Sequence, residues 1–179
     1  KPNHRSSHTS ITLRGGGIIF PVAMLIACFL GDASLWFTIA VLVVGMVSFI
    51  DDIRPLPTIP RFGAHILATV LVSCELGLFD GNLWFLPIIF IGMIGWINAF
   101  NFMDGINGIT VLYAFVSIAS FAYLFQKESV FELLLLLGLA CIVFGFFNVR
   151  KKAKTFAGDV GSVSMAVFLG YMMLKAIFE

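Results

Sequence analysis

This sequence predicts an all-α protein, a polytopic membrane bundle of about seven transmembrane helices. Of its 179 residues, 60% are hydrophobic and only 12% are charged, and the mean hydropathy is +1.03. A soluble domain carries about 25% charged residues, so this composition does not provide a water-exposed surface. The apolar runs are also continuous, whereas the strands of a membrane barrel alternate polar and apolar residues. Both observations favour helices that cross a lipid bilayer.

Seven apolar segments follow one another, and each starts or ends at a recognisable signal. The first follows three glycines, the second ends at two adjacent aspartates, and the third follows a loop with three prolines. The fourth and fifth flank a polar stretch with two glycines, the sixth ends at a basic run, and the seventh follows a Gly-Asp-Val-Gly turn. Several are shorter than the roughly 20 residues that span the hydrocarbon, so their ends are approximate. We predict one membrane-embedded domain over 1–179, with segments near 16–31, 35–50, 61–79, 83–102, 108–125, 130–148 and 162–178.

The basic residues indicate which side of the membrane each connection faces. Nine of the eleven lysines and arginines lie in the connections 1–15, 51–60 and 149–161 or at the border residue Arg61. The opposite connections contain only Lys127. Positively charged loops mark the cytoplasmic side, so the first set is predicted to be cytoplasmic. The net charge of +1 gives no reason to expect a nucleic-acid partner.

The same map separates four acidic residues from the others. Asp51, Asp52, Asp104 and Asp159 are predicted at or near the cytoplasmic boundary, where each follows an apolar run or lies in a glycine-containing stretch. Ionisable groups at such depth usually mark function. Their oxygens suit Mg²⁺, with Mn²⁺ as the alternative, and Mg²⁺ often bridges substrate phosphates. For the adjacent pair Asp51 and Asp52, a solvated helix end is the other interpretation.

Two further stretches add polar groups at this boundary. Asn98, Asn101, Asp104 and Asn107 recur every three residues, which predicts a polar stripe on one helix face, although amides also serve as interhelical hydrogen bonds. The turn 158–162, which opens a helix, can present backbone N–H groups and Asp159 to a phosphate–metal complex.

Basic and glycine-rich stretches lie on the same side. The basic run 150–154 has a second interpretation as an anchor at anionic headgroups. Three glycines after Arg14 suggest tight backbone geometry near a ligand, with a flexible loop as the alternative. No HExxH, Ser–His–Asp or Walker pattern is present in the sequence. Carboxylates and cations at a membrane surface fit phosphoryl transfer.

Taken together, these motifs resemble the polyprenyl-phosphate N-acetylhexosamine-1-phosphate transferase family, of the glycosyltransferase family 4 type. The stretch Asn101-Phe-Met-Asp104-Gly is closer to the branch that serves bacterial cell-surface polysaccharides, such as lipopolysaccharide O-antigen, than to the peptidoglycan branch. The resemblance covers most of the chain, and its motifs occur in the family's order: Arg5-Ser-Ser-His8 with Arg14-Gly-Gly-Gly17, Asp51-Asp52, Asn98 to Gly108, and Phe156 to Ser162.

The resemblance implies a reaction. A UDP-linked N-acetylhexosamine 1-phosphate would be transferred to undecaprenyl phosphate, giving undecaprenyl-diphosphate-sugar and UMP and initiating cell-surface polysaccharide or cell-wall assembly. Direct transfer and transfer through an enzyme-bound phosphate both stay open. A lipid phosphate is already anionic near neutral pH, so positioning and charge neutralisation matter more than proton removal.

The resemblance also implies residue roles. Asp159 would bind Mg²⁺ with the diphosphate and Asp104 would support that site, while Asp51 and Asp52 would act at the lipid phosphate, one of them as a candidate base. Phe156 matches an aromatic residue that stacks on uracil, and Asn148 matches an asparagine near the nucleotide. The remaining candidates for substrate binding are Arg14, Asn98, Asn101, Asn107 and Lys154.

Two features depart from the family. Asn107 stands where the family usually has Asp, and the chain is expected to be partial, without the family's first helix and its C-terminal helices. The expected partners are undecaprenyl phosphate, UDP-N-acetylhexosamine and the lipid bilayer, and a homodimer is one option for the oligomeric state, which is left open. The expected location is the bacterial inner (plasma) membrane, with the active site on the cytoplasmic face.

Two other functions are alternatives. A transporter or proton pathway also uses intramembrane carboxylates, but it predicts acids spread across the bilayer depth. A structural membrane subunit would have incidental carboxylates.

Overall fold

The computed structural model describes residues 13–81 and 83–178, and its seven α-helices confirm the predicted all-α bundle. Four of the helical stretches are long and apolar enough to cross a membrane: Leu35–Ile53, Leu83–Met103, Val130–Asn148 and Gly158–Phe178. The stretches Gly16–Leu30 and Ile109–Leu124 are shorter apolar helices. The α-helices are α1 (Ile19–Leu30), α2 (Leu35–Ile53), α3 (Thr58–Glu75), α4 (Leu86–Met103), α5 (Ile109–Leu124), α6 (Val130–Asn148) and α7 (Gly158–Phe178).

Local signals explain where the helices near the acids begin and end. The Ser34 hydroxyl accepts the backbone N–H of Phe37 at 3.2 Å and so caps the start of α2. At its other end α2 stops at Ile53, because Arg54 precedes a proline and is extended. Pro60 lies in the first turn of α3, where the missing N–H of a proline removes no helical hydrogen bond.

Helix α7 is the centre of the bundle. It is buried along most of its length and packs against α1, α2, α3, α4 and α5. The indole N–H of Trp96 donates to the carbonyl of Ala166 at 2.8 Å, and the rings of Phe37 and Tyr171 stack with centroids 3.8 Å apart. Large apolar side chains such as Phe29 and Phe102 are exposed on the outer faces, as expected for helices that face lipid.

The two ends of the bundle have different chemistry. The last turns of α2, α4 and α6 meet the first turns of α3, α5 and α7 at one end, which we call the acidic end after Asp51, Asp52, Asp104 and Asp159. At the opposite end Lys175 lies 3.5 Å from Glu128. This alternation matches the predicted up-and-down order of the helices.

Several predicted boundaries were wrong. Helix α7 begins at Gly158 rather than at 162, so Asp159 lies in its first turn. Helix α3 covers 58–75 rather than 61–79, and Gly77 follows it with a φ of 62°. Helix α4 ends at Met103, so the predicted polar stripe does not lie on one helix face. Asn98 and Asn101 are helical, whereas Asp104 caps the helix and Asn107 lies in the turn before Gly108, whose φ of 86° breaks the helical path.

Candidate active site

Asp51 and Asp52 are neighbours in sequence, but their carboxylates have different partners. Asp51 accepts the backbone N–H of Leu56 at 2.5 Å through Oδ1 and lies 3.3 Å from Arg61 through Oδ2. Asp52 accepts two backbone N–H groups at the start of α7, from Asp159 at 3.2 Å and from Val160 at 3.1 Å. Successive residues of a helix point about 100° apart, so one acid faces α3 and the other faces α7.

The carboxylate of Asp159 is more accessible than that of Asp51. Its side chain is 35% exposed, compared with 9% for Asp51. It lies in hydrogen-bonding contact with the Asp51 carboxyl and 4.0 Å from the guanidinium of Arg61. Asp51 and Asp159, from two helices, therefore converge on one arginine, and Asp52 is bonded to the backbone of Asp159.

Arg61 is the residue of this cluster that the sequence interpretation missed. It was counted only as a basic residue at a segment border, although it lies one short loop after the two adjacent aspartates. The signal was an arginine in the first turn of an apolar helix, where a cation needs a partner. The structure supplies two partners, Asp51 and Asp159.

Asp104 approaches the same cluster from α4. Its Oδ1 accepts the hydroxyl of Thr110 at 2.6 Å, which fixes the carboxylate at the start of α5. Burial raises the pKa of Asp104, the nearby charge of Asp52 raises it further, and the Thr110 hydrogen bond partly opposes both. The structure thus brings all four predicted acids to one end of the bundle.

The two asparagines of α4 have different surroundings. The amide of Asn98 donates to the carbonyl of Ile94 at 2.8 Å, within its own helix. The Oδ1 of Asn101 accepts the hydroxyl of Ser162 at 2.5 Å and so joins α4 to the first turn of α7. Asn101 is therefore part of the wall of the acidic end, whereas Asn98 lies more than one turn before the end of α4.

Asn148 joins the two loops that border the acidic end. It is buried, its Oδ1 accepts the backbone N–H of Gly108 at 2.7 Å, and its Nδ2 donates to the carbonyl of Thr155 at 2.9 Å. Asn107 donates to the carbonyl of Arg150 at 3.3 Å, and its buried Oδ1 has no hydrogen-bond partner among the described residues. The loop between α4 and α5 is thus fixed to the loop between α6 and α7.

The glycines after Arg14 form a tight backbone contact with the loop before α7. Gly16 and Gly17 donate to the carbonyls of Phe156 and Ala157 at 3.0 and 3.1 Å. A Cβ on Gly17 would collide with the backbone of Gly161. The predicted tight geometry is present, and its partner here is α7 itself.

The remaining predicted binding residues surround this contact. Arg14 is exposed and close enough to Asp52 for a favourable charge interaction. Phe156 is half-buried, and Lys154 is exposed. The segment Arg5-Ser-Ser-His8 lies outside the described residues.

The acidic end offers oxygen ligands for a divalent cation. Among residues 13–81 and 83–178, no group of three or more Asp, Glu, His or Cys side chains forms a preformed metal-binding site. The second oxygen of Asp104 has no hydrogen bond to the described residues, and the side chain of Asp159 is partly exposed. Hard oxygens from one or two carboxylates, completed by phosphate and water, are the usual surroundings of Mg²⁺, and the carboxylates of the acidic end supply oxygens of that kind.

Comparisons with known proteins place these residues in a family. Residues 34–177 match the model of glycosyl transferase family 4. The chain is 31% identical to a phospho-N-acetylmuramoyl-pentapeptide-transferase of Lactococcus lactis subsp. cremoris (strain MG1363) over 113 residues, which are 62% of this chain and 33% of that protein. It is 30% identical to the Streptococcus equi subsp. zooepidemicus (strain MGCS10565) protein of the same name over 110 residues, 59% of this chain and 32% of that protein.

The matched part is only a fraction of those proteins. The chain spans about a third of the length of the curated relatives that it matches. The family match, in contrast, includes α2 to α7 and every acid of the acidic end. The resemblance inferred from the motifs is confirmed, and this chain belongs to glycosyl transferase family 4.

Proposed function

We propose that the acidic end transfers N-acetylhexosamine 1-phosphate from a UDP-linked donor to undecaprenyl phosphate. The observation that carries the proposal is the convergence of Asp51 and Asp159 on Arg61 at one end of a membrane bundle, with Asp52 bonded to the backbone of Asp159. The two substrates meet at a membrane boundary, because the acceptor is held in lipid and the donor is dissolved in water. A site at the ends of the helices is accessible to both.

The reaction exchanges one phosphorus–oxygen bond for another. An oxygen of the lipid phosphate bonds to the phosphorus that carries the sugar, and the bond from that phosphorus to the bridging oxygen of UDP breaks. UMP leaves with the bridging oxygen and its electron pair. Near neutral pH the attacking phosphate is already anionic, so the protein has to position it and neutralise charge rather than remove a proton.

The proposal assigns roles to five charged side chains at the acidic end. Asp104 and Asp159 would hold Mg²⁺, and the bound ion would supply positive charge to the diphosphate. Arg61 and Arg14 offer cationic groups to phosphate oxygens. Asp51 orients Arg61 through their 3.3 Å contact.

The donor nucleotide is proposed to lie along the loop before α7. Phe156 there offers a ring face for the uracil, and Lys154 offers a charge. The relatives named above are phospho-N-acetylmuramoyl-pentapeptide-transferases, which supports a UDP-linked amino sugar without deciding which one this chain uses. The cytoplasmic face of a bacterial inner membrane is the location consistent with the charge bias of the loops.

The transport alternative has less support. In the described part of the chain, no Asp, Glu, Lys or Arg occupies the central turns of a helix, and the buried His65 of α3 is a single histidine at that depth. A proton or ion pathway needs such groups across the bilayer depth.

A radiolabel assay tests the proposal. Membranes with this protein, as the 179-residue chain and with its natural flanking sequence, receive undecaprenyl phosphate, Mg²⁺ and one labelled donor: UDP-GlcNAc, UDP-GalNAc or UDP-MurNAc-pentapeptide. We expect a labelled lipid and UMP from one donor. Asp159→Asn should lower the rate by about 10²-fold, and Asp32→Asn at the opposite end is the matched control. Absence of product in both forms with every donor overturns the proposal.

A further inference from the structure

We infer that Asp52 is a positioning residue for Asp159 rather than the group that contacts the lipid phosphate. This inference rests on the proposed function and separates the roles of two adjacent acids. Both oxygens of Asp52 are used by the protein, since Oδ1 accepts the N–H of Asp159 and Oδ2 accepts the N–H of Val160. A carboxylate held in this way has little freedom to approach a substrate.

The contact has the form of a helix cap supplied by another helix. The first N–H groups of a helix have no intrahelical acceptor and need one from elsewhere. Asp52 provides it from a position 107 residues earlier in the chain, and its negative charge lies at the positive end of the α7 dipole. The acid that caps α7 therefore holds the backbone of the residue proposed to bind the metal.

Gly158 leaves space for this arrangement. It has a φ of 69°, and a Cβ there would collide with the carboxylate of Asp52. On the other side of the turn, Gly17 packs directly on Gly161. The start of α7 is thus held between Asp52 and the N-terminal glycines, and Asp159 projects from a fixed backbone.

Asp51 differs in each of these respects. Its oxygens bond to Leu56 and Arg61, and its contact with α7 is to the side chain of Asp159 rather than to the backbone N–H groups. Loss of Asp51 should disturb Arg61 and the loop after α2, but it should leave the N–H groups of Asp159 and Val160 bonded. Asp51→Asn is therefore the matched control for Asp52→Asn, one position away on the same helix.

Hydrogen exchange followed by mass spectrometry tests the inference without an activity assay. In Asp52→Ala, the amides at the start of α7 should exchange at least about fivefold faster, the factor for a lost cap of about 1 kcal/mol. Asp52→Asn keeps one acceptor oxygen and should be intermediate, whereas Asp51→Asn should match the wild type. Wild-type exchange in Asp52→Ala overturns the inference, whatever the enzyme does.

A kinetic measurement separates positioning from simple structural support. In Asp52→Asn, the Mg²⁺ concentration for half-maximal rate should rise about tenfold, the usual size of effect when a residue that supports a metal ligand is changed, while KM for undecaprenyl phosphate stays within about twofold. The opposite pattern is a changed KM for undecaprenyl phosphate with normal Mg²⁺ activation. It would mean that Asp52 acts on the lipid phosphate, and it overturns the inference. If the wild type transfers nothing, the proposed function fails, and the exchange result still decides the role of Asp52.

Discussion

The guanidinium of Arg61 lies 3.3 Å from the carboxylate of Asp51, and this contact joins the first turn of α3 to the last turn of α2. Arg61 also lies 4.0 Å from Asp159 on α7, so one cation serves acids of two helices. Such an arrangement lowers the repulsion among carboxylates before a substrate or a metal ion arrives. An incoming phosphate would then compete with the two acids for the guanidinium.

Arg61→Ala should therefore affect activity far more than stability. The Arg61 side chain is 39% exposed, and ion pairs of that kind contribute about 1 kcal/mol or less to folding. The transfer rate should fall at least about tenfold, since the variant loses a phosphate-facing cation. Thermal unfolding and the radiolabel assay measure the two effects, and Lys127→Ala is the control of equal charge at the opposite end. A large drop in melting temperature with normal turnover would contradict the assigned role.

Asn148→Ala should be strongly destabilising. The substitution leaves the N–H of Gly108 and the carbonyl of Thr155 without their buried partner, and each unsatisfied group costs roughly 1–3 kcal/mol. Asn98→Ala is the matched control, because among the described residues that amide bonds only to a carbonyl of its own helix. In thermal unfolding in detergent, the melting temperature of Asn148→Ala should be well below that of Asn98→Ala. Equal melting temperatures would show that the two loops do not depend on Asn148.

Gly158→Ala should destabilise the start of α7 for two separable reasons. The φ of 69° disfavours any residue with a side chain, and the new Cβ would collide with Asp52. In a double-mutant cycle, Asp52→Ala should relieve the collision but not the backbone strain, so the two changes should be non-additive by about 0.5–3 kcal/mol. Gly105→Ala is the control, since no atom of the described residues lies within 4 Å of a Cβ at that position. Strict additivity would mean that Gly158 and Asp52 are not in contact.

The sequence predicted the membrane bundle, the acidic end and its four aspartates, because hydropathy and loop charge are properties of local segments. It did not predict that Asp51 and Asp52 have different partners. Arg61 and Val160 lie far apart in sequence. Because α2 packs between α3 and α7, Arg61 contacts Asp51 and Val160 contacts its neighbour Asp52. The polar repeat from Asn98 to Asn107 misled for a related reason: spacing of three fits a helix, but Gly105 and Gly108 end it.

Asp104→Asn should stabilise the fold near neutral pH while lowering activity. Burial raises the pKa of Asp104 in the folded state, so the charged form is less favourable there than in the unfolded chain. The charged carboxylate therefore lowers the free energy of unfolding at pH values above the pKa of the folded state. This loss of stability disappears as the pH falls below the pKa of the unfolded chain, near 3.8. An asparagine keeps the acceptor for Thr110 and carries no charge, so this cost is removed.

The difference in melting temperature between Asp104→Asn and the wild type, measured in EDTA, should be positive at pH 7 and shrink toward pH 4. Loss of transfer activity in the same variant would indicate that the carboxylate is retained for the reaction at a cost in stability. A variant less stable than the wild type at pH 7 would instead show that the charge of Asp104 is compensated in the folded protein.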